Sequence, residues 1–517
     1  MTKLNNANTK IAKNTILLYF RMILIILVSL YTSRVLLNVL GVEDFGIYNV
    51  VGGVVTMFVF LNGAMTTATQ RFLAYDIGRN DKEQLKKTFN ATLVIHVAIA
   101  LILFILIEII GFWVLNNYLN LPRDRMDEAQ WVFHFSAISF MLTIIQVPYN
   151  ACVIAHERMN IYAYISVFEV LMKLLIVFLL TYLSFDKLKL YGMLLSIINA
   201  IIVAIYITYA RFNFEETKFE LVKDKTLYKT LISYSGWNLF GNFALVAKGQ
   251  GISIILNVFF GPVVNVAQAI ASQVNAAVQS FFSNFQMAVN PQIIKSYAVN
   301  DKDFMISLMF KSARYSFYLL LLLSLPIIIE VDTILKLWLK IVPDHTSSFT
   351  ILILIIVLLD CISGPLISGV QATGNIKISQ IIVGSLQILI LPISYLLFKY
   401  GYNPESTYFV SIVISVVALF SRLIILKSLI TEFSVNTFIK EVLLKNLLIA
   451  FLSLVVPFVL KHFLATTIYN AVIIMSISFL SSFVFIYFVG INKEERIMFK
   501  AQVHKVKDKV FKSSDNT

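Results

Sequence analysis

The sequence predicts an all-α polytopic membrane protein with 14 transmembrane helices, and three observations carry that prediction. The 517 residues are 58% apolar and only 14% charged, with a mean hydropathy of +0.82. Soluble globular chains run near 45–50% apolar and about 25% charged. Apolar windows of about 20 residues, the length a helix needs to cross a roughly 30 Å hydrocarbon layer, recur along the whole chain. The Lys and Arg residues between these windows fall mostly on one side.

In chain order the windows are 14–38, 46–70, 88–116, 129–155, 161–184, 190–210, 231–257, 263–290, 304–330, 347–372, 379–398, 406–426, 441–462 and 468–490. Helices are expected because every backbone group in lipid must find its partner within the segment. Barrel strands would be about ten residues long and would alternate polar with apolar, which these runs do not. The polar stretch Met1–Lys13 leads into the first window without a small-residue cleavage site, so that window reads as a retained helix and not a signal peptide. Windows 46–70, 231–257 and 263–290 hold the most Asn, Gln, Ser, Thr and Gly. With the N-terminus inside, the cytoplasmic connections, tails and adjoining helix ends hold 30 Lys and Arg against 8 outside. That is the positive-inside asymmetry, and it places both termini in the cytoplasm. The net charge of +13 therefore reads as topology and contact with anionic membrane lipids, not as a nucleic-acid surface. Cys152 and Cys361 both fall in predicted spans and offer no disulfide framework.

The halves of the chain echo each other. Asn80-Asp81-Lys82-Glu83 matches Asn300-Asp301-Lys302-Asp303, and Gly41 matches Gly261, both at an offset of 220. Glu108 and Glu330 follow at 222, and Asn160-Ile161 and Asn375-Ile376 at 215. Both Asn-Asp connections are cytoplasmic, so the repeat is parallel, with six spans per half. The expected layout is an N-terminal lobe over 1–210, a cytoplasmic linker over 211–230 and a C-terminal lobe over 231–427. Two further spans at 441–490 and a basic cytoplasmic tail at 491–517 complete it. Parallel repeats around a central site are a recurring transporter plan.

Polar residues inside the spans point to that site. Gln268, Ser272, Asn275, Gln279, Ser283, Gln286 and Asn290 are spaced 4, 3, 4, 4, 3 and 4 apart, a single helical face. Such a face is costly against lipid and lines either a wet cavity or a helix contact. The second span offers Asn62, Thr66, Thr69 and Gln70, and the seventh Ser235, Asn238 and Asn242. Among the cations in or at the ends of spans, Arg21, Arg34, Arg71 and Lys248 are the site candidates. Snorkelling is the better reading for Arg71 and an equal alternative for Arg34, whereas Arg21 and Lys248 read as cavity residues. Arginine grips phosphate oxygens bidentately and lysine adds a point charge, so the set suits a phosphate- or sugar-bearing ligand. Glu169 and Lys173, one turn apart, form an expected intrahelical pair. Asp360 is the one mid-span acid without an expected partner on its own helix, either an ion-coupling group or a partner for a neighbouring helix. Pro148 and Pro365 occupy matching spans as weak hinge candidates.

No HExxH, Walker loop or dinucleotide turn occurs, and the six histidines show no ligand spacing. The sequence thus predicts neither an enzyme nor a cofactor. The segments Tyr31-Thr32-Ser33-Arg34-Val35-Leu36-Leu37-Asn38-Val39-Leu40-Gly41-Val42-Glu43-Asp44-Phe45-Gly46-Ile47-Tyr48 and Ala68-Thr69-Gln70-Arg71-Phe72-Leu73 carry a family likeness. Over residues 10–490 the chain resembles the polysaccharide-exporter branch of the multidrug/oligosaccharidyl-lipid/polysaccharide flippases, and within it bacterial O-antigen and capsule flippases. The resemblance implies two rocking lobes in the bacterial inner membrane and an undecaprenyl-diphosphate-linked oligosaccharide as cargo. Glycan polymerases and glycosyltransferases are the implied protein partners. A cation-coupled multidrug exporter and a non-transporting scaffold for glycan assembly are the alternatives.

Overall fold

The computed structural model describes residues 2–56, 59–117, 122–183, 185–339, 342–465, 467–492 and 495–496. Among them no strand occurs, and 17 α-helices follow one another. They are α1 (Thr2–Thr56, broken by a kink at Gly41), α2 (Val59–Arg79), α3 (Lys82–Leu106), α4 (Phe112–Asn117), α5 (Met126–Ala155) and α6 (Met159–Tyr182). Next come α7 (Lys187–Asn213), α8 (Lys225–Phe260), α9 (Pro262–Ala298), α10 (Lys302–Ile329), α11 (Val331–Leu339) and α12 (Thr346–Thr373). The last are α13 (Lys377–Lys399), α14 (Ser406–Leu429), α15 (Val435–Phe438), α16 (Lys445–Phe463) and α17 (Ile468–Phe485). Eleven helical segments among the described residues are long and apolar enough to cross a membrane. The other three predicted windows, 14–38, 46–70 and 263–290, fall on the helices α1, α2 and α9, and Asn14–Ser29 on α1 is a shorter apolar stretch among the described residues. The basic tail 491–517 lies almost wholly outside the described residues.

Several helices outrun their apolar windows. α2 continues to Arg79, α8 starts at Lys225 and α9 runs to Ala298, so their polar ends extend past the hydrocarbon-length stretch. The Asp224 carboxylate caps α8 by accepting from the Thr226 and Leu227 amides at 2.9 and 3.0 Å, the usual device for orphan N–H groups.

The repeat is written in the backbone. Gly41 and Gly261 adopt φ of +78° and +80°, and Asn80 and Asn300 +56° and +58°, a left-handed region that Gly enters freely and Asn tolerates. Around the two asparagines the hydrogen bonds also match. The Asn80 and Asp81 amides donate to Ile77 and Asp76 carbonyls, and the Asn300 and Asp301 amides to those of Tyr297 and Ser296. Asp81 and Asp301 then cap the next helix through the Gln84 and Phe304 amides. Glu108 sits in a π turn (Ile107–Gly111) that interrupts the third span, and Glu330 marks the break between α10 and α11 in the ninth.

The chain forms two compact units. The first contains Met1–Gly249, Ser283–Ile306 and Ile367–Ile388. Its centre is α5, packed against α1, α2, α3 and α7 around Val51, Leu103, Ile107, Val132, Phe133 and Ile144. Gly192 on α7 lets that helix approach α5, since a Cβ there would stand 3.2 Å from the Val132 side chain, and Ser139 and Ser196 share a hydrogen bond of 2.8 Å beside it. The second unit contains Gln250–Phe282, Ser307–Leu366 and Leu389–Thr517. There α16 packs on α17, Phe310, Phe433 and Phe438 form an aromatic cluster, and the Tyr318 hydroxyl donates to the Gly490 carbonyl. Outward-facing Ile102, Ile105 and Ile109 on the third span and Phe451, Phe458 and Phe479 on the last two are the apolar surface that a lipid-facing helix presents.

Candidate functional site

The most heavily tied region of the first unit is a seam between the N-terminal and C-terminal halves of the chain, at the end carrying Asn80 and Asn300. Glu157, in the turn between α5 and α6, accepts from Lys295 Nζ at 2.5 Å and Gln292 Nε2 at 2.6 Å, both on α9. Glu157 has a φ of +59° and a side chain only 3% exposed, so this ion pair is largely withdrawn from water. Next to it α2 meets α9 almost backbone to backbone. A Cβ at Gly78 would lie 2.8 Å from the Ala298 Cβ and 2.9 Å from the Lys295 Cα. The Tyr75 and Tyr297 rings, placed alike in the two repeats, face each other with centroids 6.5 Å apart.

Arg71 adds a second bolt. Its Nε donates to the Gln371 carbonyl at 2.9 Å and its Nη2 to that of Ala372 at 3.0 Å, capping the end of α12. The guanidinium lies over Phe72, Tyr75 and Tyr234, 4.6 to 5.6 Å from their centroids. Arg71 is buried and does not snorkel outward. Five residues on, Asp76 is pushed up to about 6 by burial, against the opposing hydrogen bond from Thr88.

The remaining expected site residues are distributed. Arg21 lies 4.3 Å from the Tyr162 ring, and its buried Nε has no partner among the described residues. The Arg34 side chain lies outside the described side chains. Arg21, Arg71, Lys248 and Gln286 belong to the first unit, whereas Gln268, Asn275, Gln279 and Asp360 belong to the second. In that second unit the side-chain carbonyl oxygens of Gln268 and Asn275 are buried with no partner among the described residues. Buried acceptors are nearly always satisfied in folded proteins. Asp360 is not the isolated acid that the sequence suggested, because Arg422 interacts with it electrostatically and donates to Ser363 at 3.2 Å. Glu169 and Lys173 pair at 2.6 Å as their spacing predicts.

Two clusters escaped the sequence reading. At the Gly41 end of the first unit, Arg125 grips Asp44 bidentately at 2.9 and 2.5 Å and reaches Asp186 at 2.7 Å, joining the connections after the first, third and fifth spans. Burial pushes the Asp186 carboxyl up, but the Lys189 amide and the Arg125 guanidinium outweigh it and hold it below the usual range. At the Asn80 end the linker is docked. The Asn90 amide donates to the Glu216 and Lys218 carbonyls and accepts from the Glu220 amide, and Lys86 pairs with Glu220 at 2.5 Å. His156 meets Glu216 at 2.5 Å and stacks on Phe214. Cys152, one turn before His156, donates to the same carboxylate at 3.4 Å. The ligand atoms of Cys152, His156 and Glu216 lie within 4.8 Å of one another, so this is the set that could hold a metal ion. In this arrangement the three satisfy each other. The i, i+4 spacing of Cys152 and His156 was the available signal.

Comparison with known proteins places this fold. The profile of the family described as "Polysaccharide biosynthesis protein" matches residues 11–297, more than half of the chain. The chain belongs to that family. EpsK of Bacillus subtilis (strain 168), an uncharacterized membrane protein, is 22% identical over 158 residues, and the match spans 31% of this chain and 31% of EpsK. An outward-facing multidrug-resistance MATE-family transporter of the MOP superfamily superposes with a TM-score of 0.71 at 12% identity. The superposition covers 82% of this chain and 96% of that one. A MOP-superfamily transporter from Pyrococcus furiosus gives 0.69 at 12% identity over 82% and 96%. A Vibrio cholerae MATE transporter gives 0.64 at 13% over 83% and 98%. The fold is therefore MATE-like, and it is carried by a multi-pass helical membrane chain of the polysaccharide biosynthesis family.

Proposed function

We propose that this chain flips an undecaprenyl-diphosphate-linked oligosaccharide, an O-antigen, capsule or related repeat unit, across the bacterial inner membrane by alternating access. The observation that carries the reading is the seam. Glu157–Lys295, Tyr75–Tyr297, Gly78 against α9 and Arg71 on the end of α12 join the two halves through contacts that rigid-body rocking can break and remake. The charge bias makes this the cytoplasmic end. The seam must part to admit cargo from inside, and two lobes over 1–210 and 231–427 rock about it. Cations such as Arg21 and Lys248 receive the diphosphate, and the α9 amides Gln268, Asn275, Gln279 and Gln286 hydrogen-bond sugar hydroxyls. The lipid tail stays in the bilayer. Glycan polymerases and glycosyltransferases act before and after it, and anionic lipids contact its basic loops.

The test is genetic and chemical. A strain lacking this chain accumulates lipid-linked repeat units accessible only from the cytoplasmic side, and the wild-type chain restores surface glycan. Normal surface glycan in its absence, with no redundant transporter, refutes the reading. The MATE-like fold keeps one rival in play, a cation-coupled drug exporter. It predicts drug resistance on overexpression and its loss in Asp360→Asn, with Asp360 in electrostatic reach of Arg422.

A further inference from the structure

Beside the Arg71 bolt, still within the first unit, a cavity of about 510 Å³ opens between the end of α2, the start of α8 and the α12–α13 turn. Its cations are Arg71, Lys229 and Lys377, and none of its lining residues is a carboxylate. The contrast with its surroundings is sharp. A neighbouring cavity of about 670 Å³ is lined by Asp76, Asp81, Glu83, Glu215 and Glu216 as well as by lysines, so the anion preference is local to the Arg71 cavity and not a general feature of this end.

Three further features shape it. Arg71 is fixed by its two carbonyl bonds, so its position costs no ordering when a ligand arrives. Gly374 has a φ of +81°, and a Cβ there would come within 2.9 Å of Arg71 Nη2, so a side chain would intrude on the guanidinium. Trp237 forms one wall, with Lys377 Nζ 5.3 Å from its ring centroid. Close approach of α8 and α13 holds that wall. The Gln380 amide donates to Asn238 at 3.1 Å, and a Cβ at Gly384 would meet the Phe240 ring at 2.7 Å. Tryptophan and lysine together mark the headgroup level of a membrane, where a phosphate carried on a lipid is found. The volume is that of a small-ligand pocket and suits a headgroup with its first sugar, not a whole glycan.

We propose that this cavity is a loading site for the diphosphate of a polyprenyl-linked sugar, which Arg71, Lys229 and Lys377 bind while a sugar ring rests against Trp237. The proposal rests on the flippase reading and adds where cargo is first captured. Capture here sets the anion against the same guanidinium that bolts α12, so binding and release of the seam are coupled through one side chain.

The test uses the full chain in phosphatidylcholine nanodiscs, with undecaprenyl diphosphate and inorganic pyrophosphate as probes and phosphatidylglycerol as the competing anionic lipid. Lys229 and Lys377 are exposed, so the double variant K229Q/K377Q folds, and Arg71→Lys serves as a second variant. The expected result is at least a tenfold loss of undecaprenyl-diphosphate affinity in the double variant, competition by pyrophosphate, and little effect of phosphatidylglycerol. Equal affinity of wild type and variant overturns the proposal. So does displacement by phosphatidylglycerol at matched concentration, which would make this a general anionic-lipid contact. A wild-type chain that supports glycan export but binds neither probe overturns the loading site and leaves the flippase reading intact. A chain that binds both probes through these residues yet never supports export sinks the flippase reading and leaves the site standing.

Discussion

Replacing Lys295 by Met tests the seam directly. The change keeps the length and the apolar stem of the side chain but removes its charge. The Glu157 carboxylate, 3% exposed, loses its lysine partner while Gln292 still donates to it. Breaking a buried ion pair by deleting one partner costs about 3–5 kcal/mol. If the pair exists only when this end is closed, that cost falls on the closed state alone. At 1.4 kcal/mol per tenfold change, the opening equilibrium moves by roughly 100-fold or more. Ser296, buried one residue from the pair, supplies the reporter. In a background lacking Cys152 and Cys361, Ser296→Cys is alkylated from the predicted cytoplasmic side only when the seam opens. Lys295→Met should raise the labelling rate by at least tenfold, and the charge swap E157K/K295E should bring it back towards the starting value. An unchanged rate in a folded, correctly inserted Lys295→Met protein refutes the idea that this pair holds the seam.

The other predictions concern the same end and its opposite. Gly78→Ala gains roughly 1 kcal/mol of helix propensity but forces α2 off α9, and overpacking costs about 1–3 kcal/mol. A net loss near 1 kcal/mol and faster labelling of the same reporter are expected, and slower labelling would mean the helices have slack. Asp76, pushed up to about 6, binds its proton more tightly folded than unfolded, so its contribution is complete below the unfolded value and is lost as pH rises through about 6. Asp76→Asn can still accept from Thr88, and should raise the melting temperature in detergent at pH 8 but not at pH 4. The full shift corresponds to about 3 kcal/mol at most. Asp186 runs the other way. Its lowered carboxyl stabilises above the ordinary aspartate range, and that stability is lost as pH falls through its folded value. Arg125→Ala should therefore cost about 2–3 kcal/mol at pH 7 and less once pH falls below the ordinary aspartate range and the lowered Asp186 carboxyl protonates, and a pH-independent loss would point to packing instead.

Much of this was legible before any coordinates. Gly41 with Gly261 and Asn80 with Asn300 stand at one offset, and each pair takes the same left-handed backbone, because a helix stop is a local event that a short motif can encode. Glu169–Lys173 was legible for the same reason. Glu157–Lys295, Arg71 on the Gln371 and Ala372 carbonyls, Arg125 with Asp44 and Asp186, and Asp360 with Arg422 were not. Their members lie tens to hundreds of residues apart, and no periodicity links them. Arg71 shows the difference well: a charge at a span end reads equally as snorkelling or as burial, and only the neighbouring carbonyls and rings decide between them.

The sequence by itself determined that the chain is helical and membrane-embedded, where its helices stop, and that its halves are kin, since backbone satisfaction in lipid and left-handed stops act over a few residues. Tertiary structure alone decided which charges became bolts and which cavity is lined by cations with no carboxylate in its wall. Those outcomes depend on desolvation and on partner distance, and both exist only after distant helices have packed.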